Sequence, residues 1–275
     1  MANVLVDENS LQCIANAIRE KNGTDDTYKP SEMPQAIRDI PTGGSDVYFT
    51  NDGRMYTEHL EFPETTTAIG ENAYRYAKNL RSVSFTNNIT SIRGNAFIGC
   101  TQLTQINLSD SITTISNFAF YDVVNVASTM NIKSTMTAVG SLPNGFSSGK
   151  LIFEEGLTNL PASEVFNYGG CKFSNEAYVY LPSSIISIGC YNSSNNSSGL
   201  KSTDDTCTLE VGDGFNASIN ASQFQQTAEK WVNVFEALAD LTSQEPKILT
   251  IGSKNLKKLT DDQKAIATNK NWTLA

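Results

Sequence analysis

One histidine, His59, occurs in a chain of 275 residues. Imidazole-activated nucleophiles and the common zinc sites draw on histidine, so this scarcity removes most catalytic triads and most metal constellations. With no partnered nucleophile near it in sequence, His59 reads as a solvated surface residue. No G-x-x-x-x-G-K-[ST] loop and no G-x-G-x-x-G turn after a strand is found, which leaves nucleotide binding without support. Basic residues are few as well: 20 Lys and Arg against 29 Asp and Glu give a net charge of -9. Phosphate backbones and anionic lipid both select a surplus of Lys and Arg, so neither nucleic acid nor a membrane is an expected partner. The first twenty residues, MANVLVDENSLQCIANAIRE, bring acids early and build no uninterrupted apolar core. No secretory signal or membrane anchor is expected from them.

Cysteines are five in number, Cys13, Cys100, Cys171, Cys190 and Cys207, with no C-x-x-C pair. An odd count without that spacing argues against a disulfide framework and a thiolate zinc site. Buried free thiols are expected, with a bridge from Cys190 to Cys207 or to Cys171 left open. The acidic pairs Glu154 with Glu155, Asp204 with Asp205 and Asp261 with Asp262 have the composition for glycoside hydrolysis or calcium binding. Adjacent carboxylates in turns and at helix starts are more often solvated or capping, and Asp261 with Asp262 stands where a helix dipole favours negative charge. No catalysis, cofactor or metal is expected.

What the chain does have is a repeat. TAIGENAYRYAKNLRSVSF from Thr67, TSIRGNAFIGCTQLTQINL from Thr90 and TTISNFAFYDVVNVASTMNI from Thr113 align with starts 23 residues apart. The equivalences run through Ile69, Ile92 and Ile115; Ala73, Ala96 and Ala119; Tyr74, Phe97 and Phe120; and Leu80, Leu103 and Val126. One inserted residue later, Val83, Ile106 and Met130 match, then Phe85, Leu108 and Ile132. A period of 20 to 29 residues is the signature of a leucine-rich-repeat solenoid, an α/β fold with a parallel sheet along one side. One coil cannot bury its apolar stripe alone, so neighbours must stack into a continuous core.

The L-x-x-I-x-L stretch predicts a short strand whose alternate residues point inward. Its outward residues are Ser82 and Ser84, then Gln105 and Asn107, then Thr129 and Asn131. They predict one exposed polar face, the side on which solenoids bind partners. Beyond it the repeat loosens, with strands expected around Leu151 and Phe153, around Val179 and Leu181, and in TLEV ending at Val211. Alternation sets Tyr178 and Tyr180 outward; whether they stand free or under a covering loop stays open. YNSSNNSSG at 191–199 is a polar low-complexity run and predicts a protruding loop.

Three segments follow from this: 1–45, 46–215 as the solenoid, and 216–275 as a helical capping module. In the last, Ala228, Trp231, Val232, Phe235, Leu238 and Ala239 have helical spacing. KILTIG predicts a strand, Thr260 to Gln263 a capping box, and NWTLA a closing strand. This β-α-β-α-β pattern is expected to extend the same sheet and cover its open edge. In the first segment, Leu11, Ile14 and Ile18 form a helical stripe, Met33 and Ile37 fall in a second short helix, and Asn51-Asp52-Gly53 reads as a hairpin turn. Two small amphipathic helices are not stable alone, so these residues are expected to dock on the solenoid, on a neighbouring copy of the chain or on another partner.

These residues carry a family resemblance. GNAFIGCTQLTQINLSDSITTI resembles the BspA-type leucine-rich repeats of bacterial surface adhesins and phage proteins, over roughly residues 66–211. The cysteine usual before the strand is present as Cys100 and replaced by Ala77 and Val123 in the flanking coils. LQCIANAIREKNGTDDTYKPSEMPQAIRDI is similar to a leader of phage and prophage tail proteins, and ALADLTSQEPKILTIGSKNLKKLTDDQKAIATNKNWTLA to their closing segment. The resemblance implies a virion component without enzymatic activity. Its N-terminus would contact other tail proteins and its repeat face a host-surface glycan or protein. The alternatives are a purely structural virion protein and a bacterial cell-surface adhesin.

Overall fold

In the computed structural model, strands one repeat apart in sequence lie side by side, because the backbone of each coil completes its hydrogen bonds only against the next. The structure describes residues 58–160, 171–188 and 200–275. The helices expected around Leu11, Ile14 and Ile18 and around Met33 and Ile37, the turn expected at 51–53 and the loop expected at 191–199 lie outside the described residues, as do Cys13 and Cys190.

Strands are numbered in chain order. On the face, β1 (His59–Glu61), β3 (Ser82–Ser84) and β5 (Gln105–Asn107) form a parallel ladder in which His59 pairs with Ser82 and Ser82 with Gln105. The same side continues as β7 (Thr129–Ile132), β10 (Lys150–Phe153), β13 (Tyr178–Leu181) and β16 (Thr208–Val211), again all parallel. On the return side of each coil, β2 (Ala68–Ile69), β4 (Ser91–Ile92), β6 (Thr114–Ile115) and β8 (Ala138–Val139) build a second ladder through Ile69, Ile92, Ile115 and Val139. Further on, β11 (Asn159–Leu160) pairs with β14 (Ser187–Ile188). Where the first coils have turns, the later ones have a third ladder of β9 (Gly145–Ser147), β12 (Cys171–Ser174) and β15 (Leu200–Ser202).

The core follows the repeat columns. Leu80, Leu103 and Val126, then Val83, Ile106 and Met130, have no solvent exposure. Each fully buried aliphatic or aromatic side chain contributes about 1.5–3 kcal/mol relative to exposure, which is why the coils stay stacked. Aromatic rings stack along the axis: Tyr74 on Phe97 at 5.2 Å and Phe97 on Phe120 at 5.3 Å between centroids. Ala77, Cys100 and Val123 fill one equivalent buried position. Cys100, Cys171 and Cys207 are free and buried, so neither Cys171 nor Cys207 takes up the bridge left open by the sequence. Burial pushes the Cys100 thiol up to about 12, despite a backbone hydrogen bond from Ala77. Three positions depart from expectation: Ala73 is exposed, and Tyr74 and Leu108 are half-buried, since the repeat sets backbone position while local cover sets burial.

The C-terminal end differs from the expected extension of the same sheet. β17 (Ile219–Asn220), β18 (Lys247–Thr250) and β19 (Trp272–Leu274) make a separate three-stranded parallel sheet. Helix α1 (Ala228–Ala237) crosses from β17 to β18, and α2 (Gly252–Leu256) with α3 (Asp261–Thr268) crosses from β18 to β19. The reason lies at β16, against which α1 packs. There the Leu209 amide donates to the Gln226 side-chain oxygen at 2.9 Å, and Gln226 is fully buried. A side chain thus takes a bond that a following strand would have made, and the edge is closed. Lys230 donates to the carbonyls of Thr206 at 2.7 Å and Cys207 at 3.0 Å, tying α1 to the last coil. The capping box at Thr260 and Gln263 forms as the sequence predicts. In α1 the buried residues are Trp231, Val234 and Phe235, with Val232 half-buried and Ala239 past the helix end.

Candidate binding face

Period-two alternation in short parallel strands sends every second side chain to solvent, and the register places these side chains in two columns. One runs His59, Ser82, Gln105 on the first ladder and Thr129, Lys150, Tyr178, Thr208 on its continuation. The other runs Glu61, Ser84, Asn107 and then Asn131, Ile152, Tyr180, Glu210. All eight residues that the sequence assigns to this face, Ser82, Ser84, Gln105, Asn107, Thr129, Asn131, Tyr178 and Tyr180, fall in these columns. Gln105, Asn107, Thr129 and Asn131 are exposed, whereas Ser82, Ser84 and both tyrosines are half-buried. Neighbours within a column bond to each other: His59 Nδ1 lies 2.7 Å from Ser82 Oγ, and Asn107 Nδ2 donates to Ser84 Oγ at 3.1 Å.

The face is not one uninterrupted ladder. Between β5 and β7 the Ser128 hydroxyl accepts from the Ile106 amide at 2.8 Å and donates to the Ile106 carbonyl at 3.1 Å. Ser128 lies in the stretch lengthened by the inserted residue between Val126 and Met130, and its side chain replaces a strand pairing at this joint.

Tyr178 and Tyr180 dominate the far end. The Tyr178 hydroxyl donates to Glu210 Oε2 at 2.7 Å, and the Tyr180 hydroxyl to Glu155 Oε1 at 3.0 Å. Both phenols are pushed up, Tyr180 to about 12, by burial first and then by these carboxylates. Burial alone would raise the Glu155 carboxyl. The Ser183 amide, the Tyr180 hydroxyl, the Ser184 amide and the Ser183 hydroxyl outweigh it and hold Glu155 below its ordinary range. Lys150 places its ammonium 5.8 Å from the centroid of the Tyr178 ring. At Gly212 an added Cβ would lie 2.7 Å from the Ser183 backbone nitrogen, which cannot swing aside, as well as 2.7 Å from Glu155 Oε1 and 2.8 Å from the Tyr180 hydroxyl oxygen, so this approach needs a residue without a side chain.

The paired acids have other bonds. Glu154 accepts from the Ser134 amide and hydroxyl and lies 3.7 Å from Lys133. Asp204 accepts from Thr203 and Thr206, Asp205 pairs with Lys258 at 2.7 Å, and Asp261 with Lys264 at 3.1 Å. Among the described residues no group of three His, Cys, Asp or Glu is placed to hold a metal ion, and no helix is long and apolar enough to cross a membrane. An open groove of about 600 Å³ on the return side is lined by Glu71, Asn95, Asn117, Phe118 and Thr137 among others.

Residues 47–168 match the family model described as "BspA type Leucine rich repeat region (6 copies)". The match reaches as far as residue 168, and the parallel ladders continue beyond it to β16; the fold is a leucine-rich-repeat solenoid with a mostly parallel-sheet α/β composition. Among solved structures, a leucine-rich repeat protein from Bacteroides ovatus is similar at 15% identity, with 78% of this chain and 71% of that one covered and a TM-score of 0.27. No curated protein matches the chain. The leucine-rich-repeat face also holds residues that the sequence reading missed: Lys150, Ile152, Thr208 and Glu210. Alternation in KLIF and TLEV carries the signal for them, but only pairing across coils puts them beside the tyrosines.

Proposed function

We propose that the chain is a non-enzymatic attachment protein whose ladder face binds a partner. The observation that carries this reading is the pair of solvent-facing columns from His59 and Glu61 to Thr208 and Glu210, rich in hydroxyl, amide and aromatic groups and repeated at the coil spacing. Such a surface binds by many weak contacts multiplied through copy number. The setting we propose is a phage tail or virion made in the bacterial cytoplasm, with residues 1–45 contacting other tail proteins and the face meeting a host-surface glycan or protein. What supports it is the resemblance read in the flanking sequences LQCIANAIREKNGTDDTYKPSEMPQAIRDI and ALADLTSQEPKILTIGSKNLKKLTDDQKAIATNKNWTLA alone.

Simultaneous substitution of Gln105, Asn107 and Tyr180 by alanine is expected to abolish adsorption while leaving particle assembly intact. Unchanged adsorption with altered assembly would replace attachment by a purely structural role in the virion. Deletion of residues 1–41 is expected to leave a folded solenoid that no longer joins particles; normal incorporation would end the anchoring claim. The BspA-type match favours a second reading, a bacterial surface adhesin that uses the same face. Its test is detection of the protein on intact bacteria that lack prophage.

A further inference from the structure

Within the proposed binding face, and resting on that reading, we propose that Tyr178 and Tyr180, flanked by Lys150 and Glu210, form a subsite for a neutral saccharide. The two rings stand on one strand at alternate positions, and each hydroxyl is bonded to a carboxylate of a different coil. Anchored rings lose little freedom on binding, and an aromatic ring can receive the C–H side of a sugar; both rings are half-buried and the Lys150 ammonium lies over that of Tyr178, so the sugar would meet Tyr180 first. The two carboxylates differ in what they have left. Glu155 already accepts four hydrogen bonds, from Tyr180, the Ser183 amide and hydroxyl, and the Ser184 amide, which fills a carboxylate's capacity. It is a positioning residue. Glu210 is exposed and accepts one from Tyr178, so its other acceptor positions are open to vicinal hydroxyls. Lys150, one coil earlier in the column of Tyr178, supplies ammonium donors.

Donor and acceptor thus flank the aromatic pair, one coil to either side, at the roughly 4.8 Å spacing of adjacent strands. Charge selects among ligands. Glu155, Glu210 and Asp213 all act on the Tyr180 phenol, against one Lys150 ammonium on this part of the face, so an anionic glycan would be repelled. Beside the subsite in the two columns stand Ile152, next to Tyr180, and Thr208, next to Tyr178; an apolar side chain and a hydroxyl add no net charge and suit the C–H and O–H groups of a sugar.

The test uses the full-length protein in calorimetric titrations with neutral oligosaccharides of glucose, galactose, mannose and N-acetylglucosamine, with oligogalacturonate as the anionic control and an oligo-arginine peptide as the cationic one. The expected result is binding of at least one neutral series, indifferent to added salt, with no binding of oligogalacturonate. Tyr178→Ala, Tyr180→Ala and Glu210→Gln should each weaken it by about tenfold or more. Glu210→Gln keeps both rings and alters an exposed group, so its thermal melt should match the parent and keep the test valid if an alanine variant misfolds. The proposal is overturned if no neutral series binds, or if binding survives Glu210→Gln and Tyr180→Ala in folded protein. Salt-sensitive binding of oligo-arginine alone, lost in Glu210→Gln, would overturn it in favour of a cationic protein segment. If no sugar binds while the Gln105, Asn107 and Tyr180 triple variant still loses its target, the subsite falls and the face stands. If sugars bind here while the triple variant keeps its target, the face reading falls instead.

Discussion

Ser128 and Ile106 exchange two hydrogen bonds across the joint between the first three face strands and the next four, the hydroxyl accepting at 2.8 Å and donating at 3.1 Å. Without that hydroxyl a part-buried amide and carbonyl of Ile106 would have no partner there. Ser128→Ala is therefore expected to cost about 1–3 kcal/mol, the desolvation penalty of orphaned backbone groups. Urea denaturation checks it, and an unchanged midpoint would mean that the coils pair without the side chain.

Two turn positions recur in each of the first three coils with positive φ: Asn72, Asn95 and Phe118, then Tyr76, Gly99 and Asp122. Gly99 differs from its two equivalents, because a Cβ added there would lie 2.1 Å from the Tyr76 ring. Gly99→Ala should destabilise by about 1–3 kcal/mol through strain and this clash. In a double-mutant cycle, Tyr76→Ala should recover part of the loss, because the ring would no longer oppose the methyl group. Gly70→Ala, with no atom within 4 Å of its added Cβ, is the control and should be close to neutral.

Lys270 closes the C-terminal end of α1. Its ammonium donates to the carbonyls of Phe235 at 3.2 Å, which also accepts from the Leu238 amide, and of Glu236 at 2.6 Å and Leu238 at 2.9 Å, which lie where a helix end leaves carbonyls without a helical partner. Lys270→Met keeps most of the stem and removes the charge. A loss of about 1.5–3 kcal/mol in thermal or denaturant unfolding is the expected outcome. A loss near zero would show that water serves these carbonyls equally well.

Acid should weaken the fold. Glu154, Glu155, Asp204 and Asp240 are all held below the ordinary carboxylate range. A carboxyl lowered in the folded state contributes stability that is present above its unfolded pKa and lost as pH falls through the folded one. Stability is therefore expected to be flat through neutral pH and to decline below about pH 4.5, the ordinary glutamate value. In Glu155→Gln the decline should be shallower, read from denaturation midpoints at a series of pH values. An unchanged slope would contradict the bonding assigned to Glu155.

Much of the solenoid was legible because it rests on local periodicity. The 23-residue spacing predicts which of Leu80, Leu103, Val126, Val83, Ile106 and Met130 are buried, and all six are. Alternation likewise set Tyr178 and Tyr180 outward, where they stand half-buried beside partners 25 and 32 residues away. Those partners were illegible, since Glu155 and Glu210 have no local signature that separates them from solvated acids. The same holds for the break at the C-terminus. Strand, helix and strand are visible in the pattern of KILTIG and NWTLA, whereas the separation of β17, β18 and β19 from the ladder follows from Gln226 meeting Leu209.

The amino-acid pattern specifies the unit: a coil with an inward apolar stripe, an outward polar one and aromatic residues at a fixed offset, because burial and pleat act over a few neighbouring residues. Which side chains of different coils share a bond follows from the packed fold alone. Stacking brings together residues 17 to 25 positions apart in the chain, and a hydrogen bond depends on that last ångström of placement. Ser128 at Ile106, Glu155 at Tyr180 and Gln226 at Leu209 are such cases.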